Sequence, residues 1–309
     1  MADLHRRLAA LGFDPSPDDP SVFGHATAVA VAAFQDERGL RIDGVVGAQT
    51  WAAVVEAGYR LGDRRLYHRT PMMRGDDVAD LQGRLGALGF DAGKVDGIYG
   101  PDTATALADF QRNAGITVDG IFGPDELRVF ERLGHRGNGV VTELRELAAL
   151  RWAARAFADL RVVIGQRGGL DGLTTSLGRL LRRQGADAIV VHHPDGSELA
   201  SQANRASAGL FIELASLGAA SGCRTSYYQG YRTSSPAGKG LAEGIQRVVP
   251  GALGVADLGA CGMAVPVLRE TRMPAVLVEA GSTAVLVSHG PLLVDMLARA
   301  VDTWATPPV

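Results

Sequence analysis

Cysteine is scarce in this chain: Cys223 and Cys261 are the only two in 309 residues, far apart and without a CxxC spacing. That excludes a disulfide framework and a thiolate metal cluster, and it fits two unpaired thiols, packed as small hydrophobes, in a reducing compartment. Net charge is also small, −3 with a pI near 6.2, and the densest basic stretch is "GDRRLYHR". The broad positive field that nucleic acid requires is missing. No stretch approaches the roughly 18 uninterrupted apolar residues of a membrane span. The opening "MADLHRRLAALGF" reads as an amphipathic helix without an apolar leader core or small-residue cleavage site, so a cytoplasmic location is expected. There is no GxxxxGK[ST] loop and no GxSxG elbow, and "SPAGKG" is read as a loop.

What the chain has is length, apolar content and repetition. With 46% hydrophobic residues it can bury several cores, and 309 residues favour two or three domains. Self-comparison aligns the segment from Leu4 with the segment from Leu81 at an offset of 76 or 77 residues. In each copy, apolar residues at helical spacing (Leu4, Leu8, Leu11; Leu81, Leu85, Leu88) run into a glycine, Gly12 or Gly89. A second helix carries Phe34-Gln35 or Phe110-Gln111. A third follows Asp43-Gly44 or Asp119-Gly120, with Pro101 and Pro124 at first-turn positions. Each copy is therefore expected to be a small all-α three-helix unit, over 1–59 and 77–134.

The motifs "LQ-x-x-L-x-x-LGF", "DGIYGP-x-T", "FQ" and "VDGIFGP" of the second copy resemble the peptidoglycan-binding type 1 domain. The first copy departs from that pattern at "DPSVFG", where Ser21 stands in place of a glycine able to take positive φ. Spacer or protein-docking bundles remain the alternative for both, because the shared motif is core and turn chemistry. Between them, "GYRLGDRRLYHRTPMMRGDD" reads as an ordered or partly ordered linker. After them, "GHRGNG" reads as a break and residues 140–158 as a connecting helix.

From 159 to 309 the pattern alternates strands and helices, which predicts an α/β domain of three layers. The strand candidates are "RVVIG", "DAIVVHH", "LFIELA", "RTSYYQG" and "PAVLVEAG"; the helices are "TTSLGRLLRRQG", "ELASQANRASA", "GLAEGIQRVV" and "PLLVDMLARAVDTWA". The tail, with Thr303 and Thr306 before the prolines, is expected to be exposed and non-helical.

The order of these elements, with "AN" at Ala203-Asn204, Tyr227-Tyr228, "LAEGIQ" and "PAVLVEAG", resembles the zinc-dependent N-acetylmuramoyl-L-alanine amidases of type 3. The resemblance implies zinc held by a histidine in "DPGHGG", a glutamate opening the next helix and a histidine in "FISIHAN". Here the corresponding turn reads "IGQRGG" with Arg167, no glutamate lies between Arg167 and His193, and the strand "FIELASL" brings Ala215. The catalytic glutamate of the family matches Glu279. The zinc site is thus expected to be lost and no cofactor is expected. Arg167 is expected to pair with Glu279; Glu213, on the same strand face as Ala215, is a candidate partner for Arg167 or Arg224. Arg167, Glu213, Asn204 and Glu279 are the ligand-binding candidates. A replacement metal site around His192, His193 and Asp195 with Glu213 or Glu279 is the rival reading, against a polar strand end at the domain rim.

The expected function is a non-catalytic amidase homologue that binds a peptidoglycan precursor or muramoyl peptide. The arrangement also resembles an actinobacterial cytoplasmic regulator of the family, which implies a protein partner, the UDP-N-acetylglucosamine enolpyruvyl transferase. The alternatives are an active amidase with a non-standard metal site and a purely protein-protein interaction module.

Overall fold

The computed structural model describes residues 1–133, 157–218, 222–230 and 233–306. The connecting helix expected over 140–158 lies outside the described residues, apart from a 3₁₀ turn beginning at Phe157. The chain forms two compact units, Met1–Thr142 with Tyr231–Thr233, and Glu143–Gly230 with Ser234–Val309. Among the described residues no helix is long and apolar enough to cross a membrane.

In the first unit each repeat builds three helices. These are α1 (Ala2–Ala10), α2 (His25–Glu37) and α3 (Ala48–Ala57), then α4 (Asp76–Ala87), α5 (Pro101–Ala114) and α6 (Pro124–Leu133). The periodic leucines converge with the aromatic of the "FQ" pair, so Leu4, Leu8, Val31, Phe34 and Val54 form one core and Leu81, Leu85, Leu107, Phe110 and Phe130 another. Each fully buried side chain of this size contributes about 1.5–3 kcal/mol relative to an exposed one.

The glutamine of "FQ" has a second task. Gln111 Nε2 donates to Asp119 Oδ1 (2.8 Å) and to the Ile121 carbonyl (3.1 Å), while its Oε1 accepts from the Asp119 and Gly120 amides (3.2 and 2.9 Å). Gln35 holds Asp43-Gly44 in the same way, and Gln82 holds Asp96-Gly97. The clamped glycines take φ of 65°, 71° and 67°, which explains the recurrent Asp-Gly. The fourth equivalent turn is the one that breaks the motif at Ser21. There His5 replaces the glutamine and meets Thr27 Oγ1 (3.0 Å), while Asp18 Oδ2 accepts from the Thr27 amide and hydroxyl. The first repeat thus reaches the same helix start by different chemistry.

The arginine-rich linker is built into the second repeat. Its strand β1 (Leu66–Tyr67) pairs antiparallel with β2 (Ile121–Phe122), Leu66 and Met73 are buried, and the Tyr99 amide donates to the Met73 carbonyl (2.9 Å). Arg64 donates through Nε to buried Asp77 (2.7 Å), tying the linker to the first turn of α4.

The second unit is a three-layer α/β/α domain. Its six-stranded sheet has the order β4-β3-β5-β8-β6-β7: β4 is Asp187–His192, β3 Arg161–Gln166, β5 Leu210–Ala215, β8 Ala275–Ala280, β6 Cys223–Tyr228 and β7 Asp257–Met263. Neighbours run parallel except β6 against β8. Helices α7 (Asp171–Arg183), α9 (Pro236–Leu253) and α12 (Gly290–Ala305) cover the face carrying Val162, Ile164, Ile212 and Val278; α8 (Gly196–Arg205) and α10 (Pro266–Glu270) cover the face carrying Val163, Phe211 and Leu277. A short α11 (Thr283–Ser288) leads into α12.

Three expectations need correction. "SPAGKG" is not a loop: Ser235 caps α9 by accepting from the Gly238 amide (3.0 Å), and Pro236 takes the first helical position. Thr303 is helical, within α12, because the two prolines follow rather than interrupt the last turn. Strand β7, absent from the strand candidates, is a glycine-bearing edge strand whose sequence "DLGACGM" lacks apolar alternation.

Candidate functional site

Strand β3 delivers the chain into the turn "QRGG" at the carboxyl end of the sheet, the edge on which α/β folds place their ligands. Gln166, fully buried, organises that turn: its Oε1 accepts from the Gly168 and Leu170 amides (2.9 and 3.2 Å) and its Nε2 donates to Asp171 Oδ1 (2.6 Å). Asp171 is the acid that opens α7, and it is committed to this amide. Gly168 and Gly169 take φ of 144° and 79°, so the turn needs both. Its tip presents Arg167. From the sequence Gln166-Arg167 stands at the turn with no separate role for Gln166; an amide opening a glycine turn, the same device as the "FQ" clamps, is the signal available for it.

Register defines the rest of the site. Gln166 pairs with Leu214, so Arg167 stands beside Ala215; Ala215 pairs with Glu279, and Glu279 with Arg224. The order Arg167, Ala215, Glu279, Arg224 is a lateral row across four strand ends, each about 4.8 Å from the next. Glu213 lies two residues before Ala215 on the same face. Arg167 closes on Glu213, with Nε 2.6 Å from Oε1 and one terminal nitrogen donating to Oε2 at 3.2 Å. The Nε contact is an ion-pair distance outside hydrogen-bond direction, and Oε1 accepts no hydrogen bond among the described residues. Arg224 closes on Glu279, its Nε and a terminal nitrogen both donating to Oε2, at 3.0 and 2.5 Å. Glu279 therefore pairs with Arg224, and Arg167 with Glu213, in place of the expected Arg167–Glu279 pair.

The carboxylates sit deeper than the guanidiniums. Glu213 is fully buried and Arg167 is 43% exposed; Arg224 reaches solvent more narrowly. Burial pushes the Glu213 carboxyl above the usual carboxylate range, Arg167 pulls it back, and the charge of Glu279 adds to the rise. Arg167 also lies against Gly196 at the start of α8, where an added methyl would come within 3.1 Å of its guanidinium. The row thus offers two cationic ends over two buried anions.

The other candidates are not in it. Asn204 donates to the Glu270 carbonyl (2.8 Å) and accepts from the Arg272 amide (2.9 Å), bracing the far end of α8 about 12 Å along from Gly196. His192 is exposed, and His193 is half-buried and bonded to the Asp195 backbone. Among the described residues no group of three His, Cys, Asp or Glu side chains could hold a metal ion. A zinc site takes three or four such donors, and here an arginine and an alanine stand where the family resemblance expects imidazoles. The described residues at these strand ends do not fit zinc.

Comparison with known proteins accords with this architecture. Residues 1–54 and 74–129 match the family described as "Putative peptidoglycan binding domain", and residues 171–284 match "N-acetylmuramoyl-L-alanine amidase". A curated protein, the N-acetylmuramoyl-L-alanine amidase CwlM of Mycobacterium tuberculosis, is 34% identical over 322 aligned positions, covering 91% of this chain and 79% of its own. The chain belongs to the N-acetylmuramoyl-L-alanine amidase family. Another amidase, CwlL of Bacillus licheniformis, is 33% identical over 135 positions, 37% of this chain and 38% of its own. Among solved structures, the amidase of Clostridium difficile 630 has 20% identity and a TM-score of 0.43 over 49% of this chain and all of that one.

Proposed function

We propose that this chain is a non-catalytic member of the amidase family, a cytoplasmic binding and regulatory protein of peptidoglycan synthesis. The observation that carries the reading is the Arg167 guanidinium, ion-paired to buried Glu213 at the position where the resemblance expects a metal ligand. Arginine stays protonated at physiological pH, so its charge opposes a divalent cation in the same place. Without Zn²⁺, a bound water keeps its ordinary pKa and the scissile carbonyl is not polarised. Glu279, the match to the family's catalytic glutamate, is held through Oε2 by two donors of Arg224.

The same arrangement suits recognition. The outward N–H groups of Arg167 and Arg224 face the carboxylates of a muramoyl peptide or a peptidoglycan precursor, which charge-assisted hydrogen bonds favour. The resemblance of the domain arrangement to a cytoplasmic regulator of the family implies a protein partner as well, the UDP-N-acetylglucosamine enolpyruvyl transferase. The test is to incubate the full chain with a soluble muramoyl-L-alanyl peptide and zinc and to follow free stem peptide by mass spectrometry. The reading predicts release no faster than the blank, together with calorimetric binding that weakens in Arg167→Met. Release that disappears in Glu279→Gln would overturn it.

A further inference from the structure

The two repeats differ in one feature that their common fold does not require. In the second, the linker lies across the face made by Tyr99, Phe122 and Leu127: β1 pairs with β2, Leu66 and Met73 fill the face, and Gly62 approaches Leu127 so closely that a methyl there would stand 2.9 Å from Cδ2. In the first repeat the counterparts are Phe23, Val46 and Trp51, by the same alignment that pairs Val45 with Ile121 and Met1 with Val78. No strand or linker segment among the described residues covers them; the Arg7 guanidinium stands at the edge of this face, 5.9 Å from the Trp51 ring centroid. Tyr99 and Phe122 are fully buried and Ile121 half-buried, whereas Phe23 is 42% exposed, Val46 half-buried and Val45 60% exposed, with Trp51 at 38%. Together with Met1 and Val46 they line an open, mainly apolar cleft of about 410 Å³.

Backbone chemistry repeats the contrast. Phe122 is paired with Leu66 in the β1–β2 ladder, while the amide and carbonyl of its counterpart Val46 make no hydrogen bond among the described residues. A methyl on Gly123 would meet the Arg65 side chain at 4.0 Å; one on its counterpart Gly47 would meet open space. Asp43, the counterpart of Asp119, is exposed two residues before Val45, and Asp3 lines the cleft itself.

We propose that this cleft of the first repeat is a docking site for an extended, basic segment of a protein partner. The segment adds as a strand beside Val45–Val46, as β1 adds to β2, with an apolar side chain over Val46 in the manner of Leu66 and an arginine or lysine next to it, above Gly47 and toward Asp43. The second repeat supplies the template: the same three-helix unit already holds such a segment, "RRLYHRTPMMR", on this face. Main-chain pairing gives the site its affinity, and the cleft selects the anchor side chain.

Trp51 lies in the cleft and reports on it. The full chain is titrated with a synthetic peptide of residues 63–74, which contains no tryptophan, and tryptophan fluorescence is followed in wild type and in Val45→Lys. Val45 is mostly exposed, so lysine there leaves the repeat folded, as circular dichroism checks, while it opposes a basic occupant. A saturable shift at one peptide per chain is expected, lost in Trp51→Phe as signal and weakened about tenfold or more in Val45→Lys. Absence of saturable binding, or equal affinity in Val45→Lys, overturns the proposal. So does a concentration-dependent dimer, seen by sedimentation and abolished by Val45→Lys, which would make a second copy the occupant. Displacement of the peptide by a soluble peptidoglycan fragment in a Val45-dependent way would assign the cleft to the wall polymer instead.

Discussion

Replacing Arg167 by methionine keeps most of the apolar stem and removes the charge that faces Glu213. The carboxylate is then buried without a cation, and its least costly response is to take up a proton. At pH 7 that response costs about 1.36 kcal/mol for each unit separating pH 7 from the ordinary glutamate value of 4.5, a ceiling of about 3 kcal/mol. The wild-type carboxyl is already raised by burial, so the loss falls below that ceiling. The sign follows from linkage. A glutamate whose folded pKa is raised gives its full stabilisation below the unfolded value of 4.5 and loses it as pH climbs through the folded value. Arg167→Met raises the folded value further, so its cost is largest at pH 7 and under about 1 kcal/mol at pH 5. Glu213→Gln in the Arg167→Met background removes the charge that must be neutralised and restores most of the lost stability. Urea titrations of the four proteins at both pH values, followed by far-UV circular dichroism, measure this. Equal destabilisation by Arg167→Met at pH 5 and pH 7, or no rescue by Glu213→Gln, would refute the argument.

Other consequences are as direct. Gln111→Leu strands the Asp119 and Gly120 amides that the side chain now satisfies, and should lower stability by about 2–3 kcal/mol in the same denaturation assay. Cys223 is buried and its thiol is pushed up to about 12, so at pH 8 it should resist a disulfide reagent until the domain unfolds, with a kinetic trace separating it from half-buried Cys261. Arg167→His combined with Ala215→His returns two imidazoles to adjacent strand ends beside Glu279. That variant should gain zinc by elemental analysis relative to wild type.

Much of the fold was legible because local signals and tertiary outcome agree. The leucine spacing, the "FQ" pairs and the Asp-Gly turns specify each repeat, and the apolar runs specify five of the six strands. The lapses have physical causes. "SPAGKG" carries a Ser-Pro helix start inside a glycine-bearing stretch that reads locally as a loop. Strand β7 owes its place to pairing with β6, which a glycine-bearing edge sequence does not announce. At the site, alternation correctly put Glu213 on the face of Ala215, yet Arg167 was assigned to Glu279. Strand order decides between them: β5 lies between β3 and β8, so Glu213 is one strand from Arg167 and Glu279 two, with Arg224 of β6 beside it. Pairing across a sheet depends on that order, which no local pattern encodes.

Zinc content decides whether the row at the strand ends has replaced the family's metal. The purified chain is incubated with zinc, freed of excess and analysed for metal, beside a His192→Ala, His193→Ala variant. Zinc far below one ion per chain is expected in both, with the Arg167–Glu213 pair standing in the metal's place. Near one zinc per chain in wild type would contradict it, and loss of that zinc in the double variant would locate the metal at the histidine pair.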